Sequence, residues 1–341
     1  MTRAFITGLA GPSLAPEEHV FLREAEPWGL ILFRRNIETP DQVRRLIGAA
    51  RDCVGSRLPV LVDQEGGRVQ RLGPPHWPVY PPGAAYGRLY DRDPAAGLAA
   101  ARLGARLIAA DLFALGIDVD CLPLADVPVA EADLVIGDRA YGTTPDKVAA
   151  IAAAVAQGLM EGGVLPVLKH LPGHGRATAD SHERLPTVDA ARAILEATDF
   201  QAFRPLRELP LGMTAHVVFT TFDPTAPATT SPIIIAQVIR ESIGFSGALM
   251  SDDVSMGALS GTIAERSRAA LGAGCDLVLH CNGRRDEMRA VAAEAPALGG
   301  AAAQRAADAL AARREPAAID LAAARAEFSA IMDRALPVVA S

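Results

Sequence analysis

The sequence predicts a single (β/α)8 TIM-type barrel with additional C-terminal helices, and three observations lead there. Short apolar runs alternate with longer helical stretches along the 341 residues. The runs are nearly continuous in their apolar character, as strands covered on both faces of a parallel sheet are. Polar, chemistry-bearing residues collect where these runs end, and in a barrel the C-terminal strand ends form the working face.

Strands are expected at AFITGL (4–9), GLILF (29–33), PVLVDQE (59–65), IDVDCLPLADV (117–127), VLPVLKH (164–170), LGMTAHVV (211–218), GALMSDD (247–253) and CDLVLHC (275–281). Between them, PDQVRRLIGAARDCV (40–54) and PDKVAAIAAAVAQGLMEGG (145–163) read as amphipathic helices. The second opens on proline and closes on glycine, the residues suited to those two positions. Strands separated by helices pair in parallel, and eight such units close into a barrel. A doubly wound open sheet is the alternative, but its G-x-G-x-x-G signature should follow an early strand. The first run here continues as GLAGPS (8–13). The alanine-rich stretch from 294 to 328 favours helix and reads as terminal helices packing on the barrel. Neither a Pro/Ser-rich linker nor an internal repeat divides the chain, so residues 1–341 are expected to form one barrel domain.

Composition bounds the function. Half the residues are hydrophobic, the net charge is −7 and the charges are dispersed. No basic stripe offers itself to nucleic acid. No apolar run approaches the roughly 20 residues of a membrane helix. The opening MTRAFITGLAG (1–11) carries too short and interrupted an apolar run for a secretory leader and reads as the first strand. Cys53, Cys121, Cys275 and Cys281 show neither C-x-x-C nor metal-ligand spacing and read as core residues of a reduced compartment. A cytoplasmic monomer without cofactor or metal is the expectation.

The third expected strand ends in Asp63, Gln64 and Glu65, and the fifth in Lys169 and His170. The sixth carries His216, and the seventh ends in Ser251, Asp252 and Asp253. Arg139 lies in a loop after the fourth. One such carboxylate is often only a helix cap, and one histidine only a satisfied structural residue. Helix capping does not explain charge on one rim from at least four strands. The densest stretch, KHLPGHGRATADSH (169–182), holds His170, His174 and His182, three of the seven histidines.

VDQEGGRVQR (62–71), IGDRAYG (136–142), KHLPGHGRATADSH, AHV (215–217) and SDDVSMGAL (251–259) resemble glycoside hydrolase family 3. Within that family the chain is similar to bacterial β-N-acetylglucosaminidases of cell-wall recycling. The resemblance implies retaining removal of β-linked N-acetylglucosamine from muropeptide fragments. It also implies that Asp252 is the nucleophile and that Asp180 and His182 form a dyad with His182 as proton donor and acceptor. Asp63, Arg71, Arg139, Lys169 and His170 match its sugar contacts.

The residues support these roles physically. Alternation along a strand puts Ala248, Met250 and Asp252 on one face and turns Asp253 away, to cap a helix or brace the barrel. Positions i and i+2 of an extended segment project to one side, which would bring Asp180 and His182 together. A carboxylate beside an imidazole orients it and supports its protonated form. Glu65 is expected to hold nearby basic residues, and His174 to shape the loop. Asp126 could brace the pocket floor or cap a helix. A metal-dependent barrel hydrolase would want a His-x-His pair on the first strand, which has no histidine. A Schiff-base aldolase would need Lys169 with a depressed pKa, against the carboxylates around it. A non-catalytic sugar-binding barrel should have lost the nucleophile or the dyad. A glycoside phosphorylase is compatible with the same motifs.

Overall fold

The structure is a computed structural model describing residues 1–55 and 57–333; residues 334–341 of the expected domain lie outside the described residues. Eight strands close a barrel: β1 (Arg3–Gly8), β2 (Pro27–Leu32), β3 (Val60–Val62), β4 (Val119–Asp120), β5 (Leu165–Leu171), β6 (Leu211–Thr214), β7 (Ala248–Asp253) and β8 (Leu277–His280). Each pairs in parallel with its neighbour in sequence, and β1 pairs with β8. Because every strand runs the same way, their C-terminal ends meet at one rim.

Two apolar layers hold the barrel. The inner one stacks Ile6, Ile31, Leu61, Val167, Met250 and Leu277 across the barrel axis. The outer one packs the other face of the strands against the helices, through residues such as Phe5, Leu46, Ile151 and Phe200. Helix Pro40–Val54 runs over the residues expected, with Thr39 Oγ1 accepting the Gln42 N–H and Gly55 just past the end. Helix Pro145–Glu161 stops two residues before the expected boundary, with Gly162 as its cap.

The C-terminal stretch forms two helices. Gly300–Ala311 sets Ala306 and Ala309 against Trp28 at the start of β2, at the N-terminal end of the barrel. Leu321–Asp333 packs on helix Pro94–Phe113, and its Phe328 ring lies 6.4 Å from that of Tyr86.

At three of the expected strands the chain leaves the barrel well before the apolar run ends. After β3, residues 64–66 leave the barrel as an antiparallel hairpin with Val69–Gln70. After β4, the run 121–127 is irregular and meets β5 through the Leu122 carbonyl, which accepts the Val167 N–H at 2.7 Å, and a bridge from Leu124 to Lys169. After β6, Val218–Phe219 pairs instead with Thr187–Val188, the tail of the densest loop. In each case the chain turns out of the sheet where the polar rim begins.

Candidate active site

The rim encloses a cavity of about 260 Å³. All eight sequence-predicted residues line it: Asp63, Arg71, Arg139, Lys169, His170, Asp180, His182 and Asp252.

An ion-pair network forms one wall. Lys169, from β5, donates to Asp63 at 3.0 Å and pairs with Glu65 at 2.6 Å. Arg139 donates to both oxygens of Glu65, each at 2.8 Å, and to the Val135 carbonyl. Arg71 donates to Asp63 at 2.9 Å, and its guanidinium lies over the Phe33 ring. Burial alone would raise both carboxyls. The charges of Lys169 and Arg71 instead hold Asp63 far below its ordinary range, and those of Arg139 and Lys169 bring Glu65 down to about 2. Burial would in turn lower Lys169, but Glu65 and Asp63 outweigh it and raise it. Lys169 is therefore a fixed cation with three protons to donate, two of them directed at carboxylates. Glu65 binds the basic residues, as expected. Arg139 commits two of its five N–H donors to Glu65 and meets the cavity as the edge of that pair.

The opposite wall is the end of β7. Ala248 and Met250 point into the barrel, and Asp252 follows them on the same face. One Asp252 oxygen accepts the Asp253 N–H at 2.8 Å, and the Asp252 N–H donates to Thr214 Oγ1 at 3.3 Å. Burial pushes the Asp252 carboxyl up. His216, His170, the Asp253 N–H and His182 together outweigh it and hold the group below its ordinary value. Asp253 accepts from the Ser255 hydroxyl and from the Ser255 and Cys281 N–H groups, bracing the barrel between β7 and β8. Fully buried His216 supports both strand ends: Nε2 donates to the Asp253 carbonyl at 2.9 Å, and Nδ1 lies 2.7 Å from Thr229 Oγ1.

Asp126 braces the floor. One oxygen lies 2.7 Å from His170 Nδ1, and the other accepts the His174 N–H at 2.6 Å. Its carboxylate thus sets the ring of a cavity residue and the start of the following loop together. That loop hugs the barrel: a Cβ at Gly175 would stand 2.1 Å from the Val127 carbonyl oxygen, so only glycine fits.

Asp180 and His182 do form a pair, but not by strand alternation. Residues 181–183 make a turn in which the Asp180 carbonyl accepts the Glu183 and Arg184 N–H groups. The Asp180 carboxylate accepts the His182 N–H and meets His182 Nδ1, both at 2.8 Å. Those two bonds and the ring's charge overcome the effect of burial and lower Asp180. Local turn chemistry of an aspartate two residues back replaces the extended segment expected, and it leaves His182 Nε2 without a hydrogen bond among the described residues. Sequence reasoning did not find Phe33, Arg68, Met256 or Ser181 in the cavity wall. Ser181 had a visible signal, its place between the two dyad residues. Among the described residues, no group of three His, Cys, Asp or Glu side chains is placed to hold a metal ion.

A barrel with a carboxylate at one strand end and a carboxylate–imidazole pair facing the same cavity has a nucleophile candidate and a proton-donor candidate on one site, the two functions that retaining hydrolysis of a glycosidic bond needs. The Glycosyl hydrolase family 3 N terminal domain matches residues 12–313, and the chain belongs to that family. A β-hexosaminidase of Alkalilimnicola ehrlichii is 41% identical over 279 residues, covering 81% of this chain and 79% of that one. A β-hexosaminidase of Methylococcus capsulatus is also 41% identical, covering 80% and 81%. The crystal structure of NagZ from Neisseria gonorrhoeae in complex with N-trifluoroacetyl-D-glucosamine superposes with a TM-score of 0.84 at 32% identity, over 97% and 96% of the two chains. The protein is a glycoside hydrolase of the β-N-acetylhexosaminidase type.

Proposed function

We propose that the protein is a retaining exo-β-N-acetylglucosaminidase. It would remove non-reducing terminal β-1,4-linked N-acetylglucosamine from muropeptides, N-acetylglucosaminyl-1,6-anhydro-N-acetylmuramic acid with or without peptide. The observation that carries the reading is that Asp252 and the Asp180–His182 pair line one cavity. In the first step Asp252 attacks the anomeric carbon and the glycosidic C–O bond breaks. His182 Nε2 gives its proton to the leaving oxygen. In the second step the neutral imidazole takes a proton from water, the hydroxide displaces Asp252, and the sugar departs with its configuration retained. Asp63, Arg71, Arg139, Lys169 and His170 fix the sugar. A charge-assisted hydrogen bond contributes about 1.5–3 kcal/mol, so several suffice for one ring.

The NagZ complex with a glucosamine derivative supports the sugar assignment. Four free cysteines fit a reduced compartment, the cytoplasm. Among the described residues, no helix is long and apolar enough to cross a membrane.

The test compares wild type and His182→Ala on two β-N-acetylglucosaminides, with chelator and phosphate as added arms. An aryl glycoside with an acidic phenol needs little protonation, so its first step should fall only modestly. The muramyl disaccharide should lose roughly 10²–10⁴-fold, and azide, which needs no base, should restore the second step. Equal losses without rescue would return the acid's role to Glu183 or Glu65. A requirement for phosphate would make the enzyme a phosphorylase, and inactivation by chelator a metal enzyme.

A further inference from the structure

We propose that Gly257, Ser181 and His174 are positioning residues that dock the turn carrying His182 onto the segment following the nucleophile strand, and so set the proton donor's distance from Asp252. This inference rests on the acid/base reading of His182 given above.

The His182 side chain is 67% exposed, so packing does not place its ring. Asp180 fixes the ring relative to its own turn and says nothing of where that turn sits. Two backbone hydrogen bonds do place it. The Ala258 N–H donates to the Ser181 carbonyl at 3.1 Å, and the Gly257 N–H donates to the His182 carbonyl at 3.2 Å. The receiving segment is itself firm. Arg266 donates to the Val254 and Met256 carbonyls, each at 3.0 Å, and the Met256 N–H donates to the Asp253 carbonyl at 3.1 Å. The path from nucleophile to acid thus runs from Asp252 through four residues of tied backbone to Gly257, then across one hydrogen bond to His182.

The two backbones approach so closely that residue 257 has no room for a side chain. A Cβ there would stand 2.8 Å from the His182 oxygen and 3.0 Å from the Glu183 oxygen. The missing side chain, not a left-handed φ, is what this glycine supplies.

The second hold is internal to the loop. Ser181 is buried between two accessible neighbours, and its hydroxyl lies 3.2 Å from His174 Nε2. Burial and the neighbouring His170 bring His174 down to about 4, so its ring is neutral. A neutral imidazole has one donor and one acceptor, and a hydroxyl pairs with either. His174 is in turn anchored by its N–H to Asp126. The loop is therefore pinned from below through Ser181 and from the side through Gly257.

A purely structural role would weaken every substrate alike, whereas misplacing a proton donor penalises only bonds that need the proton. The experiment measures kcat/KM for Gly257→Ala, Ser181→Ala, His182→Ala and the Gly257→Ala/His182→Ala double variant. Each is assayed on the acidic-phenol glycoside and on the disaccharide, with thermal unfolding recorded. Gly257 is exposed, so the folded state should persist. Gly257→Ala should lose about 100-fold on the disaccharide, the scale of a misplacement near 1 Å, and only a few-fold on the phenol. Ser181→Ala should show a smaller loss of the same pattern. The double variant should fall no further than His182→Ala, because both changes remove one function. If His182→Ala is selective while Gly257→Ala and Ser181→Ala lose equally on both substrates, or not at all, the docking role is overturned. If His182→Ala is itself unselective, the acid/base reading falls and this inference with it.

Discussion

Asp252 is the proposed nucleophile, and the carboxylates beside it are otherwise engaged. Asp253 is taken up by Ser255 and Cys281, and Glu65 by Arg139 and Lys169. Asp252 accepts one backbone N–H and is held as an anion. Replacing it by asparagine keeps the shape and an oxygen for that N–H while removing the nucleophilic charge. Asp252→Asn should therefore unfold thermally near the wild type yet turn over orders of magnitude more slowly. A mechanism-based fluorosugar should label Asp252 in the wild type, read by peptide mass spectrometry. A label on Asp253 or Glu65 would transfer the role to that residue.

At the scale of elements, β4 contains a charge problem. Asp120 is fully buried; Oδ1 accepts the Gln64 N–H at 2.9 Å, and Oδ2 has no partner among the described residues. Burial raises its carboxyl well above the ordinary value, and nearby Asp63 and Glu65 add to that against the pull of Gln64 and Lys169. Such a group contributes stability that is full below its unfolded pKa, about 3.9, and is lost as pH rises through the folded value, at roughly 1.4 kcal/mol per pH unit. Asp120→Asn keeps the acceptor for Gln64 and removes the titration. Its thermal midpoint should exceed the wild type's by most at alkaline pH, with the gap closing towards pH 4. A gap independent of pH would mean that Asp120 does not titrate in the fold. The same strand shows where sequence reading runs out. All eight strands were legible because burial on both faces writes a continuous apolar run, and the helix Pro40–Val54 because its cap residues are explicit. The run 117–127 looked like one long strand, yet only Val119–Asp120 pairs as one. Apolarity reports burial, and residues 121–127 are buried too, tied to the neighbouring strands by scattered backbone hydrogen bonds and one bridge without continuing the regular ladder. The site residues were legible by type, and the cavity brings all eight together. How Asp180 meets His182 was not, because a turn of this kind has no hydrophobic period to betray it. Nor were the holds at Ser181 and Gly257, which depend on contacts between segments far apart in sequence.

For the whole molecule, the wall of charges that shapes the cavity also ties the barrel together, and acid should dissolve both. Glu65 joins the hairpin after β3 to Lys169 on β5 and to Arg139 in the loop after β4. Its folded pKa is depressed from 4.5 to about 2. Its stabilisation is present above 4.5 and is lost as pH falls through about 2. Asp63, Asp126 and Asp252 are lowered in the same sense, so they act with it. His174 opens the decline earlier. Its ring refuses a proton down to about 4, while the unfolded chain accepts one near 6.5, so the native state loses ground as pH falls between those values. In the Asp120→Asn background, which removes the opposing titration of that residue, unfolding free energy from denaturant titrations should thus begin to fall near pH 6.5 and steepen below 4.5. Glu65→Gln removes one partner of a buried cluster and should cost about 3–5 kcal/mol at neutral pH. The same substitution should flatten the limb between 4.5 and 2, because one of its protons no longer has a site. A variant that is weaker at pH 7 but equally steep below 4.5 would assign the acid limb to Asp63, Asp126 and Asp252 instead.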